Sequence, residues 1–101
     1  MDRRMMQQLQ QMQNKLMQAQ EELGNTEVEG TAGGGAVRVT MNGHRELRNL
    51  QIAPEAVDPD DVETLQEMIV AAFNDASKKA QDLSESKLGG LTGGLNIPGL
   101  F

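Results

Sequence analysis

The chain contains no cysteine, tryptophan or tyrosine, and only two phenylalanines among 101 residues. The lack of cysteine excludes a disulfide framework, a thiolate nucleophile and the common cysteine-bearing zinc sites. It also suits a reducing compartment, so a cytoplasmic location is expected. The scarcity of aromatics leaves the core to Leu, Ile, Val, Ala and seven Met, and Met packs adaptably but specifies shape weakly. No apolar run approaches the roughly 20 residues of a membrane-spanning helix. Residues 1–24 are rich in Gln where an export signal would be apolar, so neither membrane insertion nor secretion is expected. At this length one domain is expected.

Clusters that could carry chemistry are equally scarce. His44, the single histidine, stands beside a turn without the positioned companion that general-base or nucleophilic work needs; it reads as a turn or surface residue. Asp58, Asp60 and Asp61 invite a hard-cation reading, but the alternating ligands and closing Glu of a calcium loop are absent, and helix capping accounts for the same residues. Gly33-Gly34-Gly35 is only superficially a phosphate-cradling loop, because such loops open directly into a helix and a strand pattern follows. No catalytic residue, cofactor, metal site or small-molecule substrate is expected, and the chain reads as a non-enzyme.

What is present begins with charge. The net charge of −6 argues against nucleic acid on its face, since phosphate binding rests on Lys and Arg releasing counterions. The charge is blocky, however. Residues 1–20 carry Arg3, Arg4 and Lys15 against Asp2, and residues 36–52 carry Arg38, Arg45 and Arg48 against Glu46, each block being net +2. Residues 21–35 are net −4 and residues 53–67 net −6.

From Asp2 to Leu23 the residues Met5, Leu9, Met12, Leu16, Ala19 and Leu23 recur at alternating steps of four and three, a heptad seam on a helix that Gly24-Asn25 stops. That helix packs on its own sheet or on a partner helix. Thr26–Ala32 reads as a strand, and Ala36–Met41 as a second with Val37, Val39 and Met41 on one face. Asn42-Gly43 predicts a two-residue type I′ turn. The return strand, His44–Ile52, has Leu50 and Ile52 in phase but Leu47 out of phase, which predicts a bulge near Arg48.

The second helix should start at Asp58 as N-cap with Pro59 next, Asp60 and Asp61 in the first turn, and Val57 and Val62 as a hydrophobic staple. Val62, Leu65, Ile69, Ala72, Phe73, Ala76, Ala80 and Leu83 form its apolar stripe, and it should end near Lys87 and overhang the sheet. From Leu88 on, glycine is too frequent for regular structure, so residues 88–101 are expected to be a mobile Gly/Leu-rich tail behind a domain of residues 1–87. One copy carries more apolar surface than it can bury: the Met5–Leu23 seam, the uncovered sheet face and the overhanging end of the second helix.

Several strings resemble the YbaB/EbfC family of small bacterial nucleoid-associated proteins, and together they cover nearly the whole chain. They are Ala19-Gln20-Glu21-Glu22-Leu23, Val28 through Gly35, Val37 through Gly43, Val57-Asp58-Pro59-Asp60-Asp61, Ile69 through Ala76 and Leu91-Thr92-Gly93-Gly94-Leu95. The resemblance implies an α+β fold of order α-β-β-β-α, a small antiparallel sheet with two long flanking helices, assembled as a tweezer-like homodimer. It also implies a nucleoid protein that binds double-stranded DNA with little sequence preference and alters its conformation, compaction and expression. The family's helical arms are held to carry DNA, which makes Arg3, Arg4, Lys15, Lys78, Lys79 and Lys87 the expected contacts. Arg38, Arg45 and Arg48 form a competing patch on the sheet, and Gln7, Gln11 and Gln18 are neutral donors to phosphate. Net acidity favours a rival reading, an acidic dimeric adaptor that binds a protein partner through the tail or the heptad face.

Overall fold

A computed structural model describes residues 2–91. A long helix α1 (Arg3–Asn25) is followed by strands β1 (Glu27–Ala32), β2 (Val37–Asn42) and β3 (Leu47–Ile52) and a second long helix α2 (Val62–Leu91), the expected α-β-β-β-α order. The strands form one antiparallel sheet in the order β1-β2-β3, with β2 central. The Asp2 carboxylate accepts the Met5 N–H at 2.8 Å and so caps the start of α1.

The core lies between the sheet and α2. Alternation on β2 sends Val37, Val39 and Met41 inward, where they are fully buried against Ala72 and Ala76. Gly30 on β1 lets the strand approach α2 closely, because a Cβ there would meet the Ala72 carbonyl and the Ala76 nitrogen. Helix α2 therefore sits over β1 and β2 and leaves β3 largely uncovered. Helix α1 runs antiparallel to α2 and meets it through its C-terminal half, where Ala19 and Leu23 are buried.

Five local expectations are corrected. The β2–β3 turn is a three-residue loop, not a two-residue type I′ turn. Asn42 O accepts from Arg45 N, Asn42 N donates to Glu46 O, and Arg45 rather than Gly43 takes the left-handed conformation, at φ 63°. The cause is tertiary. Gly43 N–H donates to Leu23 O at 2.8 Å, and the buried Asn42 amide makes four bonds, from Nδ2 to Gly24 O and Glu46 Oε1 and at Oδ1 from the His44 and Glu46 amides, which is its full capacity. As a result β3 starts at Leu47 rather than His44.

Helix α2 begins at Val62, and Asp61 rather than Asp58 caps it by accepting from the Thr64 amide and hydroxyl. The Asp58 carboxylate is occupied by the Asp60 amide in a preceding turn. Val57 and Val62 are both exposed, so they do not act as a staple. The helix also continues through Leu88, Gly89 and Gly90 to Leu91, past the expected end near Lys87. The remaining residues of the expected tail, 92–101, lie outside the described residues.

The bulge falls where the pattern put it. Thr40 pairs with Asn49 but Met41 with Leu47, so Arg48 is the extra residue. That insertion returns Leu47 to the face that carries Leu50 and Ile52. The opposite sheet face is polar, with Glu29 and Arg38 paired at 3.4 Å. The sheet's share of the apolar surplus is therefore not on the open face but on the helix side of β3, while Met5, Leu9 and Met12 of α1 are exposed as expected.

The two sheet edges differ. At β1, Asp75 Oδ2 accepts the Thr31 N–H at 3.1 Å and Lys79 Nζ donates to Glu29 O at 2.9 Å, so side chains of α2 occupy backbone groups that another strand would use. The Thr31 N–H, with Lys79 beside it, holds the Asp75 carboxyl below its ordinary value. A depressed folded-state pKa gives stability that is present above the unfolded value and lost as pH falls through the folded one. The stability deficit of Asp75→Asn, measured by urea unfolding, is expected at neutral pH and should vanish below the ordinary carboxylate range. A deficit that persisted unchanged in acid would rule out the charge as its origin.

Candidate nucleic-acid interface

The nine basic side chains divide by what already holds them. Lys78 pairs with Asp82 at 2.8 Å, Lys79 with Asp75 at 3.3 Å and Lys87 with Glu22 at 2.6 Å. Arg38 pairs with Glu29, and Arg48 lies 3.8 Å from Glu46 while donating to Gly24 O. The carboxylate partner raises the Lys78 ammonium above its usual value. Among the described residues, Arg3, Arg4, Lys15 and Arg45 make no ion pair.

Their positions differ as well. Arg3 and Arg4 sit in the first turn of α1, and every residue from Asp2 to Lys15 is exposed. This is a free helical arm of about 20 Å at 1.5 Å per residue, and it gives the molecule much of its 69 Å length. Lys15 and Lys87 line one shallow groove between the helices, together with Gln18, Ala19, Glu22 and Leu91. Lys78 and Lys79 are consecutive on α2 and point in different directions, Lys79 toward the β1 edge and Lys78 into solvent. The six expected residues therefore do not form one continuous strip within a single chain. The arm and the groove bring together Arg3, Arg4, Lys15 and Lys87, with Gln7, Gln11 and Gln18 also exposed along α1.

Of the competing patch, Arg45 occupies the hairpin tip, whereas Arg38 and Arg48 are tied to backbone carbonyls at Gly35 and Gly24. The hairpin tip also lines an open groove of about 490 Å³ with Gln81, Ser84, Glu85 and Leu88. His44 is held by its ring Nε2 against Gln20 O at 2.8 Å, which makes it a tie between the hairpin and α1. Among the described residues no group of three or more His, Asp or Glu side chains converges as metal ligands would, and no helix is long and apolar enough to cross a membrane.

A second surface was only partly legible in the sequence. Leu47 and Leu50 on β3 are 53% and 41% exposed although they lie on the core side of the sheet. Met68, Asp75 and Lys79 turn one flank of α2 toward β1, which leaves Val62 and the 44%-exposed Phe73 on the flank toward β3. Phe73 belongs to the predicted apolar stripe, yet the small Ala72 and Ala76 face the sheet instead. The outcome is an apolar shelf beside an unpaired strand edge.

A family model described as the YbaB/EbfC DNA-binding family matches residues 1–95. A protein of Roseiflexus sp. (strain RS-1) named nucleoid-associated protein is 62% identical over 97 residues, which is 96% of each chain. A Chloroflexus aurantiacus protein of the same name is 59% identical over 99 residues, covering 98% of this chain and 97% of that one. An uncharacterised protein of Helicobacter pylori, solved as a crystal structure, superposes with a TM-score of 0.78 at 28% identity, over 91% of this chain and 98% of its own.

Proposed function

The chain belongs to the YbaB/EbfC DNA-binding family, and from that premise we propose that it is a nucleoid-associated protein. In this reading it binds double-stranded DNA as a homodimer, with little sequence preference, and changes the conformation and compaction of the duplex. The family is defined by DNA binding and not by a catalysed reaction.

The observation that carries this reading is the α1 arm. It projects from the fold, and its Arg3, Arg4 and Lys15 have no carboxylate partner among the described residues, so they can reach phosphates without first breaking an ion pair. Lys87 lies close by but must release Glu22, and Lys78 and Lys79 must release Asp82 and Asp75; they are secondary contacts. Contacts of this kind read charge and spacing rather than base identity. A second copy laid against the apolar shelf of β3 and α2 would supply a second arm and make a clamp.

On a mixed-sequence duplex, affinity should fall steeply between about 50 and 200 mM salt, with a log–log slope near −0.9 for each phosphate contacted. Joint replacement of Arg3, Arg4 and Lys15 by Gln should weaken binding to all sequences alike and flatten that slope by about one unit per cation removed. Binding that ignores salt, or a triple variant with the parental slope, would remove the arm as the contact. An unchanged slope would move the contact to the Arg38, Arg45 and Arg48 patch, whereas with a net charge of −6 salt-insensitive binding would favour an adaptor that engages a protein partner.

A further inference from the structure

On α1, Met5 and Leu9 are 53% and 56% exposed, Met12 is also exposed and Leu16 is half-buried. They continue the seam whose last members, Ala19 and Leu23, are buried, and large side chains on one face of a free helix make a contiguous apolar strip. Their steps alternate between four and three, so they are the core positions of a heptad, a pattern completed by a second helix.

The four positions fit a second copy of the same arm. Run against itself, the sequence sets Met5 opposite Leu16 and Leu9 opposite Met12, so every layer holds one Met and one Leu and the pair has two-fold symmetry. A parallel pair is blocked. Beyond Leu16 the seam passes to Ala19 and Leu23, where each copy's own α2 lies alongside, and two such helices would collide.

Charge agrees with this arrangement. The positions flanking the seam, Met6, Gln8 and Gln13, are neutral, and in the antiparallel pair Lys15 comes to face Gln8 of the second copy rather than another cation. At about 100° per residue, Arg3, Arg4 and Lys15 are turned roughly 90° or more from the middle of the seam. Pairing therefore leaves them outward on both arms.

We propose that the arms of two copies pair antiparallel through Met5, Leu9, Met12 and Leu16, at a contact separate from the β3 shelf, and that the paired arms bridge two DNA duplexes, one on each outer face. The bridging half rests on the DNA-binding reading above; the pairing half does not. The contact spans about 17 Å of helix and falls short of the roughly 1,200 Å² of a stable interface. It therefore forms in concentrated protein, or where arms gathered on DNA meet at high effective concentration, and leaves the mass of dilute protein unchanged.

The chain has no cysteine, which makes cross-linking clean. In concentrated full-length protein, an equimolar mixture of Met5→Cys and Leu16→Cys should give the mixed disulfide roughly tenfold faster than either variant alone gives its own, because like positions lie about 16 Å apart along the antiparallel pair. The same preference is expected when both chains also carry Leu47→Asp and Leu50→Asp. Self-disulfides as fast as the mixed one would overturn the register. Absence of the mixed disulfide, or its loss with the β3 aspartates, would overturn pairing at a separate contact.

Bridging is read on beads carrying one duplex, where the protein should capture a second, labelled duplex. Leu9→Gln with Met12→Gln should lower that capture by about tenfold or more while affinity for a single duplex stays within about twofold. Both side chains are exposed, so the fold is not at stake. Capture that survives the substitution would overturn the bridge. A chain that binds no duplex yet forms the mixed disulfide would overturn the DNA reading and support the pairing.

Discussion

Gly30→Ala is expected to lower stability by about 3 kcal/mol or more, which for a chain of this length is a large share of the total. The glycine sits in the middle of β1, opposite Val39, on the face that α2 covers. A methyl group there lands against the Ala72 carbonyl and the Ala76 nitrogen, with the Ala76 Cα at 2.8 Å. All three atoms belong to helix backbone, so no side chain can swing aside to relieve the overlap. Relief requires α2 to lift from the sheet, and lifting α2 opens the contacts of Val37, Val39 and Met41 with Ala72 and Ala76. The measurement is urea unfolding followed by far-UV circular dichroism. Gly90→Ala is the control, because a Cβ at that helical position meets nothing within 4 Å and should be neutral or mildly stabilising. A Gly30→Ala midpoint equal to the parent's would mean that the strand and helix are not packed backbone to backbone.

That contact explains much of what was and was not legible in the sequence. The order of elements followed from periodicity: steps of three and four for the helices, alternation for β2, glycine and proline between them. The bulge at Arg48 was legible because Leu47 broke phase with Leu50 and Ile52, and only a one-residue insertion restores it. Choices made by tertiary contacts were not legible. Asn42-Gly43 is a type I′ signal in isolation, but Leu23 and Gly24 of α1 take up Gly43 N–H and the Asn42 amide, and the loop lengthens to keep them. Glycine at 89 and 90 suggested a helix end, yet α2 continues beside α1, where Lys87 and Glu22 join the two helices.

The candidate site shows the same division. A basic residue can be counted in a sequence, but whether it is already neutralised depends on carboxylates brought close by folding. Lys78 and Asp82 are a helix pair four residues apart and could have been foreseen; Glu22 with Lys87, and Lys79 with the Glu29 carbonyl, could not. Subtracting those ties turns a list of six candidates into an arm with three cations free of ion pairs among the described residues.

Leu47→Asp combined with Leu50→Asp is expected to convert the protein to single chains and, at about 50 mM salt, to weaken DNA binding by about a hundredfold or more. Both leucines lie on the exposed shelf of β3, at 53% and 41% exposure and outside the buried cluster of Val37, Val39, Met41, Ala72 and Ala76, so helical content should stay near the parental level. In the proposed two-fold pair each substitution puts a carboxylate into an apolar surface that both copies contribute, where desolvation and like charge oppose association. The loss of DNA affinity follows without any change to a DNA-contacting residue, because two arms on one duplex act at a high effective concentration and one arm does not. The arm variant with Gln at positions 3, 4 and 15 should show the converse, parental mass with a flattened salt dependence. Sedimentation equilibrium and a mixed-sequence binding assay on the two variants therefore separate assembly from contact. If the aspartate variant sediments as a single chain and still binds as the parent does, one arm suffices and the clamp is wrong. If it retains the parental mass, the β3 shelf is not where two copies meet.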